Sequence, residues 1–318
     1  MKIVVTGALG HIGSRFLLSI PKNYDGAEII LLDDLSAQRY VSIFELPNGA
    51  RYRFFECDVS NADTNLPSFL EGADVVVHLA AITNAAGSFE TREKIEAVNF
   101  KATQKVAEAC ALLKIPLFYT SSTSVYGTQS DKVDENCSSD ELRPQSPYAE
   151  TKLKEEALVR ELGESKGLKF IVCRFGTIFG ASPGMRFHTA VNKFCWQATL
   201  GIPVTVWRTA LHQVRPYLDL TDAIAAINFV IEKKHFDNQI YNVLTLNATV
   251  DEILNVVREI IPDLKVNFVD TKIMNQLSYY VLNEKFTNLG FKFNGNLRTG
   301  IFETLELLKC VRSSPVRK

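Results

Sequence analysis

The stretch Ile3–Gly13, IVVTGALGHIG, decides the fold. Its first four residues are apolar or β-branched, as in a buried strand, and glycines follow at positions 7, 10 and 13. Apolar residues at helical spacing come next (Ile12, Phe16, Leu17 and Ile20), so the pattern predicts a strand, a glycine turn and a helix. Such a turn lets the backbone approach a pyrophosphate closely, and the helix N-terminus adds free N–H groups. The dinucleotide site predicted here comprises Gly7, Leu9, Gly10, His11, Ile12 and Gly13.

A carboxylate ends the second predicted strand. Asp33 lies 20 residues beyond Gly13 and is followed by Asp34. A carboxylate at this distance can accept hydrogen bonds from the adenosine ribose and repels a 2′-phosphate. Because no basic residue stands immediately beside Asp33, the sequence favours NAD over NADP as the cofactor.

Short apolar runs predict the remaining strands of the first half. Many show no alternation, as in Ile29–Leu32 and Val75–Val77, which is typical of parallel strands buried on both faces. Helical patterns lie between them, so we predict an α/β fold: a Rossmann-type doubly wound parallel sheet with a smaller C-terminal substrate-binding lobe. The expected division is 1–176 for the NAD-binding domain and 177–318 for the lobe, with a soft boundary and a return of the chain near 217–241. The predicted strands are Ile3–Thr6, Glu28–Asp33, Tyr52–Asp58, Asp74–Leu79, Pro116–Ser122 and Lys169–Phe175, followed by Val204–Val206, Ile240–Val243 and Val266–Val269.

Composition narrows the function classes. Hydrophobic residues make up 46% of the 318 residues and charged residues 22%, as in an ordinary globular protein. A net charge of −1 argues against a nucleic-acid partner, since phosphate binding needs a surplus of Lys and Arg. The six cysteines form no CxxC pair, so we expect no metal site and no disulfide scaffold. With no apolar run of membrane-spanning length and no signal-peptide pattern, a soluble, cytoplasmic protein is expected.

Tyr148 and Lys152 form a YxxxK pair on a predicted helix. Residues i and i+4 share one helix face, so the ammonium can lie near the phenol. A phenol has a reference pKa near 10, and a neighbouring cation moves it toward useful acid–base strength. A hydroxyl-rich stretch, Thr120–Ser124, ends another predicted strand, where open α/β sheets bind ligands. Ser122 there is a candidate to hydrogen-bond the oxygen that Tyr148 protonates and deprotonates.

These motifs together resemble the ordered signature of the extended short-chain dehydrogenases/reductases, and specifically the NAD-dependent epimerase/dehydratase family of nucleotide sugars. The resemblance covers essentially the whole chain and is carried by Gly7–Gly13, Asp33, Cys57–Val59, His78–Ala81, Asn99, Ser121–Gly127, Tyr148, Lys152, Arg174, Arg215–Asp222 and Leu289–Phe291.

The resemblance implies roles for individual residues. Asp58 and Val59 would hold the adenine, Asn99 would support the central helix, and Lys152 would hold the nicotinamide ribose. The wall of the cofactor trough would be Leu79, Ala80 and Ala81. Tyr148 would be the catalytic base, with Ser122 and Lys152 beside it. The implied substrate-binding residues are Thr83, Ser122, Thr123, Tyr148, Thr177, Arg186, Asn192 and Arg215, with Arg186 and Arg215 as ligands of the substrate diphosphate.

Departures from the family pattern narrow the reaction. Family 4,6-dehydratases carry an Asp–Glu pair where this chain has Thr123 and Ser124, and decarboxylases usually carry Glu at the Ser124 position. We therefore expect a nucleotide-sugar epimerase acting at C4 through a transient 4-keto sugar. Thr177 replaces the Asn that is typical of 4-epimerases, and Asp219 replaces a family His, so the sugar and the base stay open.

Alternative interpretations remain at this point. A dehydrogenase or ketoreductase of the same family would release its cofactor at each turnover. A non-catalytic NAD-sensing protein is disfavoured, because both Tyr148 and Lys152 are present. His188 could act as an acid–base group for 3,5-epimerisation. Relatives with that activity pair such a His with a Cys, and this chain has Ser124 at the position expected for the Cys. We expect a homodimer, paired through Ala97–Leu113 and the helix after Tyr148.

Overall fold

The computed structural model describes residues 1–83, 92–129, 132–270 and 278–310. The strands in this part of the chain are β1 Lys2–Thr6, β2 Glu28–Asp33, β3 Arg51–Glu56, β4 Val75–His78, β5 Leu117–Ser122, β6 Lys132–Val133, β7 Phe170–Phe175, β8 Thr177–Phe179, β9 Val204–Trp207, β10 Val214–Asp219, β11 Ile240–Val243, β12 Leu246–Thr249, β13 Val266–Val269 and β14 Tyr280–Val281. The helices there are α1 His11–Asn23, α2 Leu66–Leu70, α3 Arg92–Ile95, α4 Lys101–Leu113, α5 Pro147–Lys166, α6 Ala190–Thr199, α7 Leu220–Lys233, α8 Val250–Ile260, α9 Glu284–Thr287 and α10 Leu297–Leu308, with a π-helical turn at Glu96–Phe100.

A parallel sheet of seven described strands forms the centre of the molecule. Its order is β11-β7-β5-β4-β1-β2-β3, and every pairing within it is parallel. The order reverses between β1 and β4, which is the switch point where open α/β sheets bind ligands. The predicted Rossmann-type doubly wound fold is confirmed.

Helices cover both faces of this sheet, and each face has its own apolar core. On one face α1 and α7 pack together over side chains of β1 and β2, including Ile3 and Ile29. On the other face α4 packs over Val4 and Val76. Val4 and Val76 are both 0% exposed, and burial of such a side chain stabilises the fold by roughly 1.5–3 kcal/mol. Burial on both faces explains why these strands are apolar without alternation.

Small sheets lie beyond the large one. β12, β10 and β8 form one, and β13 pairs with β9 in another. A third core, with Phe179 and Tyr217, fills the space between these strands and helices α6, α8 and α10. A capping box formed by Thr249 and Glu252 begins α8. No helix in the described ranges is long and apolar enough to cross a bilayer.

The chain returns to the large sheet after the first small-sheet strands. β11 pairs with β7 as the outermost strand, with Ile240 opposite Val172, and α7 packs on α1. We keep as a proposal the division into 1–176 and 177–318, with a soft boundary and a return near 217–241.

Some boundaries differ from the sequence predictions. β3 ends at Glu56 rather than Asp58, because Asp58 accepts hydrogen bonds from Ser60 and turns the chain. Helix α6 begins at Ala190, and Asn192 in its first turn holds the preceding loop through the Arg186 carbonyl. Strands β8 and β10 were not predicted from the sequence.

Candidate active site

The glycine turn joins β1 to α1 at the switch point of the sheet. Gly7 has φ +64°, and a Cβ there would lie 2.6 Å from the Ala80 backbone nitrogen. A Cβ at Gly13 would lie 2.5 Å from the carbonyl oxygen of Ala8. Both positions therefore require glycine, one for its backbone conformation and the other for close packing of the helix on the turn. The turn leaves the first N–H groups of α1 facing the end of the sheet.

Asp33 lies at the carboxyl end of β2 and supports this turn. Its Oδ2 accepts a hydrogen bond from the Leu9 nitrogen at 3.0 Å, and its Oδ1 accepts one from Leu35 at 3.1 Å. Burial raises the pKa of the Asp33 carboxyl, and the two backbone donors oppose that shift. Asp34 instead caps an exposed turn, accepting from Ser36. Asp33 is thus fixed toward the glycine turn, where a ribose-binding carboxylate is expected.

An open trough starts at the turn. Asp58 lines it next to Val59, and Asp58 Oδ1 accepts from the Ser60 nitrogen at 2.8 Å. Many residues predicted for the cofactor meet here. The lining includes Gly7, Gly10, Asp33, Asp34, Asp58, Val59, Leu79, Ala80, Ala81 and Asn99.

Arg39 also lines the trough, and the sequence analysis missed it. Its Nη1 lies 3.9 Å from the position of a Cβ built on Gly10. Burial lowers the pKa of the guanidinium, whereas the nearby Asp33 carboxylate acts in the opposite direction. No basic residue is adjacent to Asp33 in the sequence, and Arg39 reaches the trough from further along the same loop. The cation stands where a cofactor phosphate would lie close to the turn.

Asn99 fixes the opposite wall of the trough. It lies in the π-helical turn and is 1% exposed. Its side-chain amide contacts both backbone groups of Ile82. The segment Leu79–Ala81 is therefore held at one end by Asn99 and at the other by Thr6, whose carbonyl accepts from the Leu79 nitrogen at 3.0 Å.

Tyr148 and Lys152 lie in the first turns of α5. The helix begins with Ser146 as N-cap, whose Oγ accepts from the Ala149 nitrogen at 3.2 Å. Tyr148 is half-buried, whereas Lys152 is 3% exposed, and Lys152 Nζ lies 5.9 Å from the Tyr148 ring centroid. The predicted pair is thus on one helix face. The ammonium donates to the Thr120 carbonyl at 3.1 Å, which joins it to the end of β5.

The hydroxyls at the end of β5 point in different directions. Ser122 Oγ lies 2.9 Å from Ser124 Oγ and accepts from the Ser124 nitrogen. Thr123 is 1% exposed, and its Oγ1 donates to the Phe175 carbonyl at 3.3 Å. The turn that carries them packs against α5. Ser122 and Ser124 can face a ligand near Tyr148, whereas the Thr123 hydroxyl already serves the core.

A loop after β8 crosses the glycine turn. His11 Nε2 lies 2.9 Å from the Gly180 carbonyl oxygen, and burial lowers the pKa of this His to about 3. The Gly184 nitrogen donates to Ser14 Oγ at 2.9 Å. A Cβ at Gly184 would lie 2.3 Å from the carbonyl oxygen of Leu9. The loop therefore rests directly on the turn, with His11 as a support rather than a titrating group near neutral pH.

Arg186 belongs to this loop. Asn192 is 0% exposed. Its Oδ1 accepts a hydrogen bond from the Gly180 nitrogen at 3.1 Å, and its Nδ2 donates one to the Arg186 carbonyl at 3.0 Å. Arg186 Nε is buried without a hydrogen-bond partner among the described residues. Burial lowers the pKa of Arg186 to about 10, and the group interacts electrostatically with Tyr148 and Arg39. A half-buried arginine whose Nε is left without a partner is suited to an anionic ligand.

The other substrate residues lie on or beside the small sheet. Thr177 pairs with Tyr217 across β8 and β10, and Arg215 lies in β10 opposite Ala248. Arg215 and Thr177 are both half-buried. Thr83 is the last described residue before position 92 and is also half-buried.

The residues fit a dinucleotide. Substitution-intolerant glycines, a strand-end carboxylate and an open trough converge at the switch point. No group of three or more metal-ligating side chains was found among the described residues. Comparison with known families matches residues 3–243 to the description "NAD dependent epimerase/dehydratase family". The chain belongs to this family. The predictions of the family and of NAD as its cofactor are confirmed.

Relatives within the family differ in reaction. An uncharacterized UDP-glucose epimerase of Bacillus subtilis (strain 168), YtcB, is 34% identical over 253 residues, covering 76% of each chain. A trifunctional UDP-glucose 4,6-dehydratase, UDP-4-keto-6-deoxy-D-glucose 3,5-epimerase and UDP-4-keto-L-rhamnose reductase of Arabidopsis thaliana is 28% identical, and the chain spans 46% of its length. A solved UDP-glucuronic acid 4-epimerase from Bacillus cereus, in complex with UDP-glucuronic acid and NAD, is 26% identical with a TM-score of 0.88, covering 98% of this chain and 99% of that one.

Proposed function

We propose that this protein is an NAD-dependent nucleotide-sugar epimerase that inverts the configuration at C4 of the sugar through a transient 4-keto sugar. The observation that carries the proposal is the pairing of Tyr148 and Lys152 on α5 with a hydroxyl turn that holds no carboxylate at positions 123 and 124. Proton transfer and positioning are available there, whereas an acid at those positions for removing water is not.

Each side chain has a stated task in this proposal. Tyr148 exchanges a proton with the sugar oxygen, and Ser122 hydrogen-bonds the same oxygen and keeps it oriented. Lys152 keeps its positive charge near the phenol, which favours the phenolate. Bound NAD supplies the hydride acceptor and donor for the sugar carbon.

The substrate is an anionic nucleotide sugar. Arg186, with its unsatisfied Nε, and Arg215 are the proposed ligands of the diphosphate. Asn192 acts indirectly, since its amide braces the loop that carries Arg186. Thr83 and Thr177 remain proposed sugar contacts, while Thr123 is assigned to the wall behind Ser122. Relatives named for UDP-glucose and UDP-glucuronic acid make UDP-sugars the first candidates.

The test is a product assay in D₂O with UDP-, GDP-, dTDP- and CDP-sugars, together with measurement of the NAD released on denaturation. A C4 epimerase of this kind returns the removed hydrogen to the same sugar, so the product carries no carbon-bound deuterium. A dehydratase or a 3,5-epimerase introduces solvent deuterium at ring carbons, and a dehydrogenase leaves reduced cofactor in solution. Any of these results contradicts the proposal.

Tyr148→Phe tests the proposed base, and Tyr40→Phe is its matched control. Tyr148→Phe removes one hydroxyl and is expected to abolish turnover while the protein still retains NAD. Tyr40→Phe removes the same group from an exposed position and is expected to leave turnover unchanged. Near-normal turnover by Tyr148→Phe would show that another group exchanges the proton.

A further inference from the structure

Three buried side chains form a polar cluster behind Tyr148. Lys152 is 3% exposed, and both Glu155 and Tyr119 are 0% exposed. Lys152 Nζ lies 3.0 Å from Glu155 Oε2. Neither the sequence motifs nor the proposed substrate contacts account for Glu155, which lies one helical turn beyond the lysine.

The ammonium has three partners in the cluster. Lys152 Nζ forms an ion pair with Glu155 Oε2, and it donates hydrogen bonds to the Tyr119 hydroxyl at 3.2 Å and to the Thr120 carbonyl at 3.1 Å. The Tyr119 hydroxyl in turn donates to the same oxygen of Glu155. Burial, followed by the charge of Glu155, raises the pKa of Tyr119 well above its usual value, so this phenol stays a neutral donor. The carboxylate therefore fixes the ammonium directly and through Tyr119.

The next residue along the helix has a different partner. Glu156 accepts from Arg174 Nε at 2.9 Å and Nη2 at 2.7 Å, and from Ser121 at 2.6 Å. Arg174 thus neutralises Glu156, while Glu155 contacts Lys152. Glu155 Oε1 is buried and has no hydrogen-bond partner among the described residues. Burying a carboxylate with one oxygen unsatisfied is costly, so packing alone does not explain this residue.

We infer that Glu155 is a positioning residue for the reaction: it holds the Lys152 ammonium in place and charged, and its own negative charge partly offsets that ammonium at Tyr148. The inference rests on the proposed function, in which Tyr148 exchanges a proton with the substrate. Burial by itself lowers the pKa of a lysine, but Glu155, together with smaller contributions from Tyr148 and Glu156, more than offsets this, so that the pKa of Lys152 is raised. The lysine can therefore be enclosed and still carry its charge.

Other titratable and charged groups face this cluster from the neighbouring elements. Tyr119 comes from β5, and His78 from β4 stacks on its ring with centroids 6.0 Å apart. Burial lowers the pKa of His78 to about 3, so this imidazole is neutral. Glu156 and Arg174 neutralise each other, and Arg186 approaches Tyr148 from the loop after β8. Of these groups Tyr119 hydrogen-bonds Glu155 and loses that partner when Glu155 is replaced, whereas the pair of Glu156 and Arg174 is kept.

Glu155→Gln removes the negative charge and nearly preserves the shape. Loss of an anion favours the deprotonated form of every nearby acid, so the pKa values of both Tyr148 and Lys152 fall. Both limbs of the pH–rate profile are expected to move to lower pH, the limb that reports Lys152 by about one pH unit or more, because its ammonium lies 3.0 Å from the removed charge. A change in the height of the profile with no movement of its limbs means a packing role only and overturns the inference.

A titration without substrate separates this inference from the proposed function. The near-ultraviolet absorbance of phenolate is followed against pH, and the curve of the matching Tyr148→Phe protein is subtracted to isolate Tyr148. Glu155→Gln is expected to lower the midpoint, and Glu155→Asp, which keeps the charge, to restore most of it. Glu161→Gln removes an exposed carboxylate of the same helix and is expected to have no effect. An unchanged or raised midpoint in Glu155→Gln overturns the inference, whether or not any sugar is turned over.

A second pair of variants guards against misfolding. If Glu155→Gln does not fold because Lys152 is left unpaired, Lys152→Met and the double variant Lys152→Met/Glu155→Gln are compared. The double variant buries no unpaired charge from this cluster. Its Tyr148 midpoint is expected below that of Lys152→Met, since the remaining anion is gone. Equal midpoints in these two proteins contradict the inference.

Discussion

Asn99 holds both backbone groups of Ile82: its Oδ1 accepts from the Ile82 nitrogen at 2.8 Å, and its Nδ2 donates to the Ile82 carbonyl at 2.9 Å. The Asn99 side chain thereby supplies the hydrogen bonds that a neighbouring strand would supply within a sheet, because Ile82 lies beyond the end of β4 at His78. The widened π-helical turn brings the amide to this position. The wall of the trough is therefore hydrogen-bonded through Asn99 to the π-helical turn, which continues directly into α4.

Asn99→Leu tests the importance of this tie for cofactor binding. The change keeps the volume but leaves two backbone groups unpaired, at a cost of about 1–3 kcal/mol for each one that stays buried. We expect at least about tenfold weaker NAD binding in a calorimetric titration, together with a lower melting temperature. Asn255→Leu, at an exposed position of α8, serves as the control. Unchanged NAD affinity in Asn99→Leu would mean that the wall is held by other contacts.

Gly7→Ala tests the glycine turn against a matched position. Gly7 and Gly72 have similar positive φ values, +64° and +72°, but only Gly7 has atoms within 4 Å of a built Cβ. Gly72→Ala thus measures the backbone strain alone, about 1 kcal/mol. Gly7→Ala adds a clash with Ala80 and is expected to cost roughly 1–3 kcal/mol more and to abolish NAD binding. Chemical unfolding and an NAD titration of both variants provide the comparison; equal costs would contradict the clash.

Stability is expected to fall in mild acid because two histidines are buried in the neutral form. Burial lowers the pKa of both His11 and His78 to about 3, whereas an unfolded histidine titrates near 6.5. The unfolded state therefore binds more protons between these values. Each group removes up to about 1.4 kcal/mol of stability per pH unit as the pH falls from about 6.5 toward 3.

Urea unfolding at a series of pH values measures this loss. His11→Gln is expected to reduce the slope below pH 6.5 by about one proton relative to the parent. His212→Gln changes an exposed histidine and is the control. A slope that is the same in His11→Gln and the parent protein would show that His11 is protonated in the folded state.

Arg186→Gln is expected to weaken substrate binding more than cofactor binding. Loss of charge-assisted hydrogen bonds to a diphosphate costs about 1.5–3 kcal/mol, or a roughly 10- to 100-fold increase in KM. Retention of NAD should change little. Arg208, an exposed arginine paired with Asp270, provides the control variant Arg208→Gln. A large loss of NAD with an unchanged KM would reassign Arg186 to the cofactor.

The cofactor half of the site could be predicted because its chemistry is local in sequence. The glycines, Asp33 and the YxxxK pair lie at fixed distances along regular elements, and those elements follow from apolar runs without alternation. Arg39 could not be assigned in this way. It reaches the trough through a loop whose path depends on contacts such as Ser42 with the Leu9 carbonyl.

Substrate residues were harder to predict for the same physical reason. Thr123 and Asn192 are polar residues in suitable segments, but the structure directs both side chains to backbone groups of the protein. Glu155 carries no motif, and only the fold brings it against Lys152 and Tyr119. Side-chain direction within a loop or a helix depends on tertiary packing, which the spacing of residues does not encode.

The anchoring of Gly184 on the glycine turn joins the NAD site and the proposed substrate site through one segment of backbone. The segment that presents Arg186 is fastened to α1 by Ser14 and His11. Whichever ligand orders this segment first lowers the entropic cost for the other, and linkage makes the benefit reciprocal. In the proposed reaction, a sugar nucleotide should then slow the escape of the dinucleotide, so that the oxidant would stay in place while a ketone intermediate exists.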